Sequence, residues 1–308
     1  MFGGIDLGGT KIEACLHDAD LNPLNRHRVP TPPRYEDLIK AVVAQVAWLR
    51  QEAGEAHLPV GLGLPGFVDH RTGLTFAANI DVTGRRVADD LAACLGERIP
   101  VENDGKCFVL SEANGGAGEG ARTVCGLILG TGVSGGLCID GALHQGASGL
   151  PGEIGHIGLP AALVADLDLP VMPCGCGRTG CYETLLAGPG LPRIAAALGL
   201  PPRNGVELAK ALEHGDRSGE HVLRIWAGIA AELLHSIQLF VDPDCIVLGG
   251  GLTGIPGLAG RISDALESVR LPAAGPLRIL PARFGDSSGV RGAALLARAA
   301  RKQAGHRG

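Results

Sequence analysis

The chain has 308 residues, a formal net charge of -5 and no long run of Lys or Arg, which excludes a broad basic surface for DNA or RNA. Hydrophobic residues make up 45% and aromatic residues only 3%, so the core is aliphatic and rings for stacking on bases are scarce. No stretch of about 18 uninterrupted apolar residues is present, which argues against a membrane-spanning helix.

Met1-Phe2-Gly3-Gly4 carries neither a basic flank nor a cleavable apolar stretch, so a cytoplasmic location is expected. The length suits two domains of roughly 100–200 residues each. Residues 2–7 form a short apolar run closed by Gly8-Gly9-Thr10. In the run Lys11–Leu16 that follows, Ile12, Ala14 and Leu16 alternate. This predicts strand, tight glycine turn, strand. Leu38, Val42, Val46 and Leu49 keep helical spacing over residues 36–53. Val60–Leu64 reads as a buried strand ending at Pro65-Gly66, Val87–Leu95 as a helix and Ile99–Val101 as a strand. Asn103-Asp104 then opens a helix through Ala113.

The glycine-rich stretch Gly115–Gly120 is the expected domain boundary. Beyond it, Val124–Leu129, Gly130-Thr131-Gly132 and Gly135–Ile139 repeat the opening pattern. The echo predicts two related halves facing a common cleft, the alternative being two ordinary hairpins. Residues 219–241 form a long amphipathic helix stopped at Asp242-Pro243. Cys245–Leu248 is a strand followed by Gly249-Gly250-Gly251. A last helix spans residues 291–302, with a frayed tail at Gln303–Gly308. Continuous apolar strands mixed with helices predict an α/β protein.

Glycines at strand ends let backbone N–H groups approach an anion with no side chain in the way. Asp6-Leu7-Gly8-Gly9-Thr10-Lys11 offers this together with a carboxylate that could hold Mg²⁺. The hydroxyls of Thr10 and Thr131 could bond phosphate oxygens. Lys11 either adds charge there or is a solvated strand residue. Gly61-X-Gly63-X-X-Gly66 and Gly130-X-Gly132-X-X-Gly135 match the dinucleotide spacing, but that fingerprint needs a helix at the turn and both run into strand-like segments. A Walker-type Gly-Lys-Ser/Thr loop is absent from the sequence.

Of nine cysteines, Cys15, Cys94, Cys107, Cys125, Cys138 and Cys245 are scattered in apolar stretches and read as core. The other three follow His156 as Cys174-Gly175-Cys176-Gly177-Arg178-Thr179-Gly180-Cys181. One imidazole and three thiolates form a closed tetrahedral set, the pattern of a structural Zn²⁺, against the alternative of a redox pair or unlinked thiols. Asn103-Asp104 reads either as a helix cap or as a sugar-binding amide followed by a general base.

The segments Asp6–Lys11, Gly63–Gly66, Asn103-Asp104, Gly130–Gly136, Glu153-Ile154-Gly155-His156, Cys174–Glu183 and Gly249–Gly251 resemble, in order, the ROK family of sugar kinases and repressors. Within it, Val29–Pro32, Phe76–Asn79, Asn103–Ala113, Val241–Asp244 and Gly285–Ala294 are most similar to bacterial N-acetylglucosamine kinases. The resemblance implies an actin-like, hexokinase-type fold of two α/β lobes, with sugar and ATP in the cleft. Residues 1–117 would form the smaller lobe and 118–289 the larger, zinc-bearing one, with the helix of residues 290–308 packing back on the first. Asp104 would be the catalytic base, taking the proton of the sugar 6-hydroxyl as its oxygen attacks the γ-phosphate. Gly66, Asn79, Asn103, Glu153, His156 and Glu183 would line the sugar. His156 would also grip zinc with Cys174, Cys176 and Cys181. Gly4, Ile5, Asp6, Leu7, Gly8, Gly9, Thr10 and Lys11 would line the phosphates and Mg²⁺. Gly130, Thr131, Gly132, Val133, Ser134, Gly135, Gly136 and Leu137 would form the second phosphate segment, and Gly249, Gly250 and Gly251 would pack beside adenosine. A homodimer is implied as well.

Three positions depart from the family pattern. Gly105-Lys106 stands where N-acetylglucosamine kinases have Ala-Asn, and Ser134 where the second turn has Gly. Lys106 either lowers the pKa of Asp104 or points to solvent. The alternatives carried forward are glucose, N-acetylmannosamine or fructose as substrate, and a non-catalytic sugar sensor. A repressor would need a DNA-binding module ahead of the first strand, which here starts by residue 3.

Overall fold

The computed structural model describes residues 1–305. The first half runs β1 (Phe2–Leu7), β2 (Lys11–His17), β3 (Pro23–Pro30), α1 (Tyr35–Ala53) and β4 (Val60–Leu64). A two-stranded ribbon follows, β5 (Phe67–Val68) with β6 (Thr75–Phe76), then α2 (Val87–Leu95), β7 (Val101–Asn103) and α3 (Asp104–Ala113). Its sheet has the order β3-β2-β1-β4-β7. β1 is antiparallel to β2 and parallel to β4, and β4 is parallel to β7.

The second half runs β8 (Thr123–Leu129), β9 (Val133–Ile139), β10 (Ala142–Leu143), α4 (Ala161–Asp166), α5 (Glu183–Leu186), α6 (Gly190–Ala197), α7 (Gly205–Glu213), α8 (Arg217–Val241), β11 (Cys245–Gly249), α9 (Leu258–Val269), β12 (Ile279–Pro281) and α10 (Ser288–Gly305). Its sheet has the order β10-β9-β8-β11-β12, with β8 antiparallel to β9 and parallel to β11. The two sheets therefore repeat one order and one pattern of directions, and the echo read in the sequence is a duplication of topology.

Each half has its own aliphatic core. Ile5, Leu7, Leu38, Val42, Leu62 and Leu64 lie in one, while Leu127, Leu129, Leu223, Ile229, Leu233 and Leu248 lie in the other. α8 supplies much of the second; at about 1.5–3 kcal/mol per fully buried aliphatic side chain, its inward face stabilises that half. It ends at Asp242, in the left-handed region (φ 48), just before Pro243.

Helices cross between the halves. α10 packs on β1 and β4 of the first sheet, whereas α3 packs on β8 and β9 of the second, and the two helices pack on each other. Glycines make the close approach possible. A Cβ on Gly4 would lie 1.9 Å from Val290 O, one on Gly61 2.1 Å from Ala293 O, and one on Gly136 2.5 Å from Val109 Cγ1. Where the chain crosses, the buried Glu112 carboxylate accepts from Ala117 N (2.9 Å), Arg283 N (2.9 Å), Phe284 N (3.1 Å) and Ser288 Oγ (2.7 Å). Four donors satisfy a charge that would otherwise be costly to bury.

The expected elements shift in places. The strand expected at Ile99–Val101 lies at Val101–Asn103, and β3 has no counterpart in the sequence reading. β3 is an exposed edge strand with the polar run Asn25-Arg26-His27-Arg28, so no apolar alternation marks it. The last helix extends through Gly305, so residues 303–305 are helical; residues 306–308 lie outside the described residues. No helix among the described residues is long and apolar enough to cross a membrane.

Candidate active site

Strands β1, β4 and β7 run parallel, so their C-terminal ends share one edge of the sheet, the usual side for ligands in α/β proteins. Asp6 stands near the end of β1 and Asn103 at the end of β7. Asn103 is the N-cap of α3: its Oδ1 accepts from Lys106 N at 3.2 Å. The capping reading of Asn103 therefore holds, and it sets Asp104 at the first helical position. Asn103 Nδ2 donates to Gly66 O (2.8 Å) and to Asp104 Oδ1 (3.1 Å). Gly66 takes φ 89, and a Cβ there would lie 2.2 Å from Phe76 O, so only glycine fits.

Asp104 Oδ1 also accepts from Gly105 N (2.7 Å) and Ser134 Oγ (3.3 Å). These three donors all fall on Oδ1, which fixes the rotamer of the carboxylate. Burial raises its pKa, and the bonds from Gly105, Ser134 and Asn103 oppose that. Ser134, at the family departure in β9, is the contact between the second hairpin and Asp104.

Burial, then the charges of Asp104, Glu13 and Asp286, push Asp6 up to about 7, with Lys11 acting against them. Asp6 also faces the start of α10, where a Cβ on Gly289 would lie 3.2 Å from Asp6 Oδ2. Above the unfolded value and below about 7, the folded protein holds a proton that the unfolded chain has lost, so stability falls as pH rises through that window. Asp6→Asn is expected to be more stable than the parent at pH 8 in Mg²⁺-free buffer, and the gap should close as pH falls towards 4. Thermal unfolding at several pH values measures this; a gap independent of pH would refute it.

The bend after β1 is closed by Gly8 N donating to Lys11 O (2.9 Å) and braced by Thr31 Oγ1 donating to Gly8 O (2.7 Å), leaving Gly9 and Thr10 exposed. Asn79 lies against this bend: a Cβ on Gly9 would be 3.3 Å from its Nδ2. Lys11 Nζ lies 3.7 Å from Glu13 Oε2, on the strand face beside Arg28. The bend after β8 is closed by Gly130 N donating to Gly132 O (3.0 Å), with Thr131 exposed. After Gly61–Gly66 the chain enters β5, and Gly130–Gly135 runs into β9, so at both matches a strand stands where a dinucleotide fingerprint needs a helix.

Not all of the candidate glycines sit at a bend. Ile5 and Leu7 are core, Gly4 lies under α10, and Gly135 and Gly136 lie under neighbouring backbone and α3. Gly249 lies against the ring of Phe108, Gly250 (φ 88) against Leu129 O, and Gly251 is exposed.

His156 ends a 3-10 turn, Ile154–His156, that follows Glu153. Its Nε2 lies 3.7 Å from Glu153 Oε2, while its Nδ1 lies 3.6 Å from Cys174 Sγ. Cys176 and Cys181 sulfurs are 3.6 Å apart, far beyond the ~2.05 Å of a disulfide. The donor atoms of His156, Cys174, Cys176 and Cys181 all lie within 4.8 Å of one another. Four donors at Zn–S distances of about 2.3 Å would span edges of about 3.8 Å, so the set fits a tetrahedral ion. Glu183 links this cluster to the second bend: Oε2 accepts from Val133 N (3.0 Å) and Oε1 lies 3.6 Å from Cys174 Sγ. Burial raises the pKa of Glu153, with Asp104 and Glu183 adding to the rise and His156 and Lys106 opposing it.

Lys106 was expected either to lower the pKa of Asp104 or to point to solvent; it is buried, and its Nζ lies 3.0 Å from Glu102 Oε1. Glu102 was missed. The signal was the i, i+4 spacing of Glu102 and Lys106 across the strand-to-helix junction.

Two glycine-cornered sheets with carboxylates gathered between them define the class: an α/β sugar-kinase fold of the hexokinase type. The ROK family model matches residues 2–300, and the chain belongs to that family. It is 39% identical over 303 residues to the N-acetylgalactosamine kinase of Shewanella sp. strain ANA-3, covering 96% of each chain. It is 37% identical over 300 residues to the N-acetyl-D-glucosamine kinase of Escherichia coli, covering 96% of this chain and 99% of the other. The crystal structure of the ROK hexokinase from Thermus thermophilus superposes with a TM-score of 0.85 at 31% identity, covering 98% of this chain and 99% of that one. A ROK glucokinase from Streptomyces griseus in complex with glucose and AMPPNP gives 0.77 at 29%, covering 97% and 99%.

Proposed function

We propose that this protein transfers the γ-phosphoryl group of ATP to the 6-hydroxyl of an N-acetylhexosamine, N-acetyl-D-glucosamine first. The observation that carries this reading is Asp104. Its carboxylate is held on one oxygen by three protein donors, beside the second bend through Ser134 and within charge range of Asp6. A carboxylate so fixed is suited to take the proton of a sugar hydroxyl as that oxygen attacks phosphorus. Gly66, Asn103, Glu153, His156 and Glu183 would line the sugar. Asn103 already spends its amide donors on Gly66 and Asp104, which leaves Oδ1 to offer a ligand its second lone pair. Asn79, which lies against the first bend, would join them. The exposed Gly9-Thr10 and Thr131 would meet the phosphates, and Gly251 the nucleoside. Asp6 would hold Mg²⁺, whose charge would offset that of the phosphates.

N-acetyl-D-galactosamine is the second substrate reading, favoured by the relative at 39% identity. A coupled ADP-release assay over N-acetylglucosamine, N-acetylgalactosamine, N-acetylmannosamine, glucose and fructose tests the assignment. One of the first two is expected to give the highest kcat/KM; a preference for glucose or fructose would overturn it, and no ADP release with any sugar would favour a sensor. Cytoplasmic location and a homodimer come to this reading from the sequence and the family resemblance.

The donor set of His156, Cys174, Cys176 and Cys181 would hold a Zn²⁺ that shapes the segment before Glu183. With all four positions taken by protein the ion would be structural. Cys176→Ser is expected to cut the zinc content from one per chain to well below half and to lower the unfolding temperature by several degrees, about 2–4 °C per kcal/mol lost at this size. Unchanged metal stoichiometry would count against the cluster.

A further inference from the structure

The strand residue before Asn103-Asp104 makes polar contacts of its own at this edge of the sheet. Glu102 Oε1 accepts from Asn103 N at 3.0 Å and from Lys106 Nζ at 3.0 Å. Its Oε2 lies 3.3 Å from His70 Nε2. The Glu102 and Lys106 side chains are 4% and 2% exposed, so each charge depends on the other. Lys106 N in turn donates to Asn103 Oδ1, which locks the amide that grips Gly66 O.

His70 extends this group to the other half. Its backbone N donates to Ser148 O at 3.2 Å, in the segment that leads to Glu153. The two loops meet closely there: a Cβ on Gly149 would lie 2.5 Å from Val68 O.

We infer that Glu102, charge-balanced by the buried Lys106, is a positioning residue for the sugar end of the site. It aims Asn103-Asp104 through the Asn103 backbone and, through His70, holds the segment that delivers Glu153. The inference rests on the reading of Asp104 as the base. It accounts for the departure at Lys106: the ammonium replaces the family's neutral amide without reaching the substrate, because Glu102 takes it up.

The experiment is steady-state kinetics on Lys106→Met, His70→Ala and the double variant Glu102→Gln/Lys106→Met, with sugar and ATP varied separately. Lys106→Met should raise the sugar KM about 10- to 100-fold, the scale of misplacing a binding group by an ångström, with the KM for ATP within about twofold. His70→Ala should raise the sugar KM about three- to tenfold. The double variant, carrying neither charge, should return to within about threefold of the parent, because no buried ion is left unbalanced. Three results would overturn the inference: a sugar KM unchanged in both single variants, a KM for ATP rising in step with it, or a double variant no better than Lys106→Met. Should Lys106→Met fail to fold, His70→Ala and the double variant decide the matter. Asp104→Asn in the same assays separates the two readings. If it turns over normally, the kinase site is wrong; if it is dead while Lys106→Met and His70→Ala behave as the parent, only this inference fails.

Discussion

Asp104→Asn is expected to lower kcat about 100- to 10,000-fold while the sugar still binds within a few-fold of the parent affinity, because general-base assistance is worth about 10²–10⁴. The substitution is nearly isosteric. Its side-chain oxygen can go on accepting from Gly105 N, now at 2.7 Å, so the start of α3 keeps its geometry. What it loses is the capacity to take a proton. Isothermal titration with the sugar and a coupled ADP-release assay give the two numbers. Binding and turnover lost together would assign Asp104 a structural part instead.

Gly292→Ala is expected to cost stability without any chemistry being involved. A Cβ there would sit 1.8 Å from Cys107 O and 2.4 Å from Cys107 C, where α10 crosses α3. Neither helix can give way. α10 is seated on Gly4 and Gly61 by approaches of 1.9 and 2.1 Å, and α3 on Gly126 and Gly136 by approaches of 2.7 and 2.5 Å. Ordinary overpacking costs about 1–3 kcal/mol, and a clash between two backbones should meet or exceed about 3. Gly260→Ala is the control: it lies exposed in α9 with nothing within 4 Å of the added atom, and should gain about 0.5–1 kcal/mol from helix propensity. Denaturant unfolding of both variants measures the difference; equal midpoints would show that the crossing can open.

Much of the site could be read from the chain because its signals are local. A glycine bend between two apolar runs, an Asn-Asp pair at a helix start, and three cysteines in eight residues each state their geometry within a few positions. The halves repeat because strand, glycine corner and strand repeat. For these the order of residues along the chain was sufficient, and it also marked Lys106 and Ser134 as departures.

Local pattern is ambiguous where one residue type serves two ends. Glycine frees backbone N–H groups for an anion, and it also removes the side chain between packed elements. Gly8 and Gly9 stand at a corner; Gly4, Gly61, Gly135 and Gly136 lie beneath a helix or a neighbouring strand. Period and spacing are the same in both cases. The difference is whether another element lies above the strand: α10 over Gly4 and Gly61, α3 and neighbouring backbone over Gly135 and Gly136. Lys106 is similar, since a lysine beside a carboxylate reads as solvated until a buried Glu102 is found on the preceding strand.

The sequence by itself therefore determined the family, the duplicated strand–bend–strand plan, the N-terminal place of Asp104 on its helix and the four donors of the cysteine cluster. The bends, the place of Asp104 and the three cysteines depend on neighbours within a few residues; His156, 18 residues before Cys174, and the family rest on the order of motifs along the chain. The tertiary structure alone decided which glycines meet helices, where the Lys106 charge goes, and how Ser134 and His70 join the two halves. Apart from the Glu102–Lys106 pair, four residues apart and told from a solvated pair only by its burial, those contacts link residues far apart along the chain, and their energies follow from burial and distance in space, which local pattern does not encode.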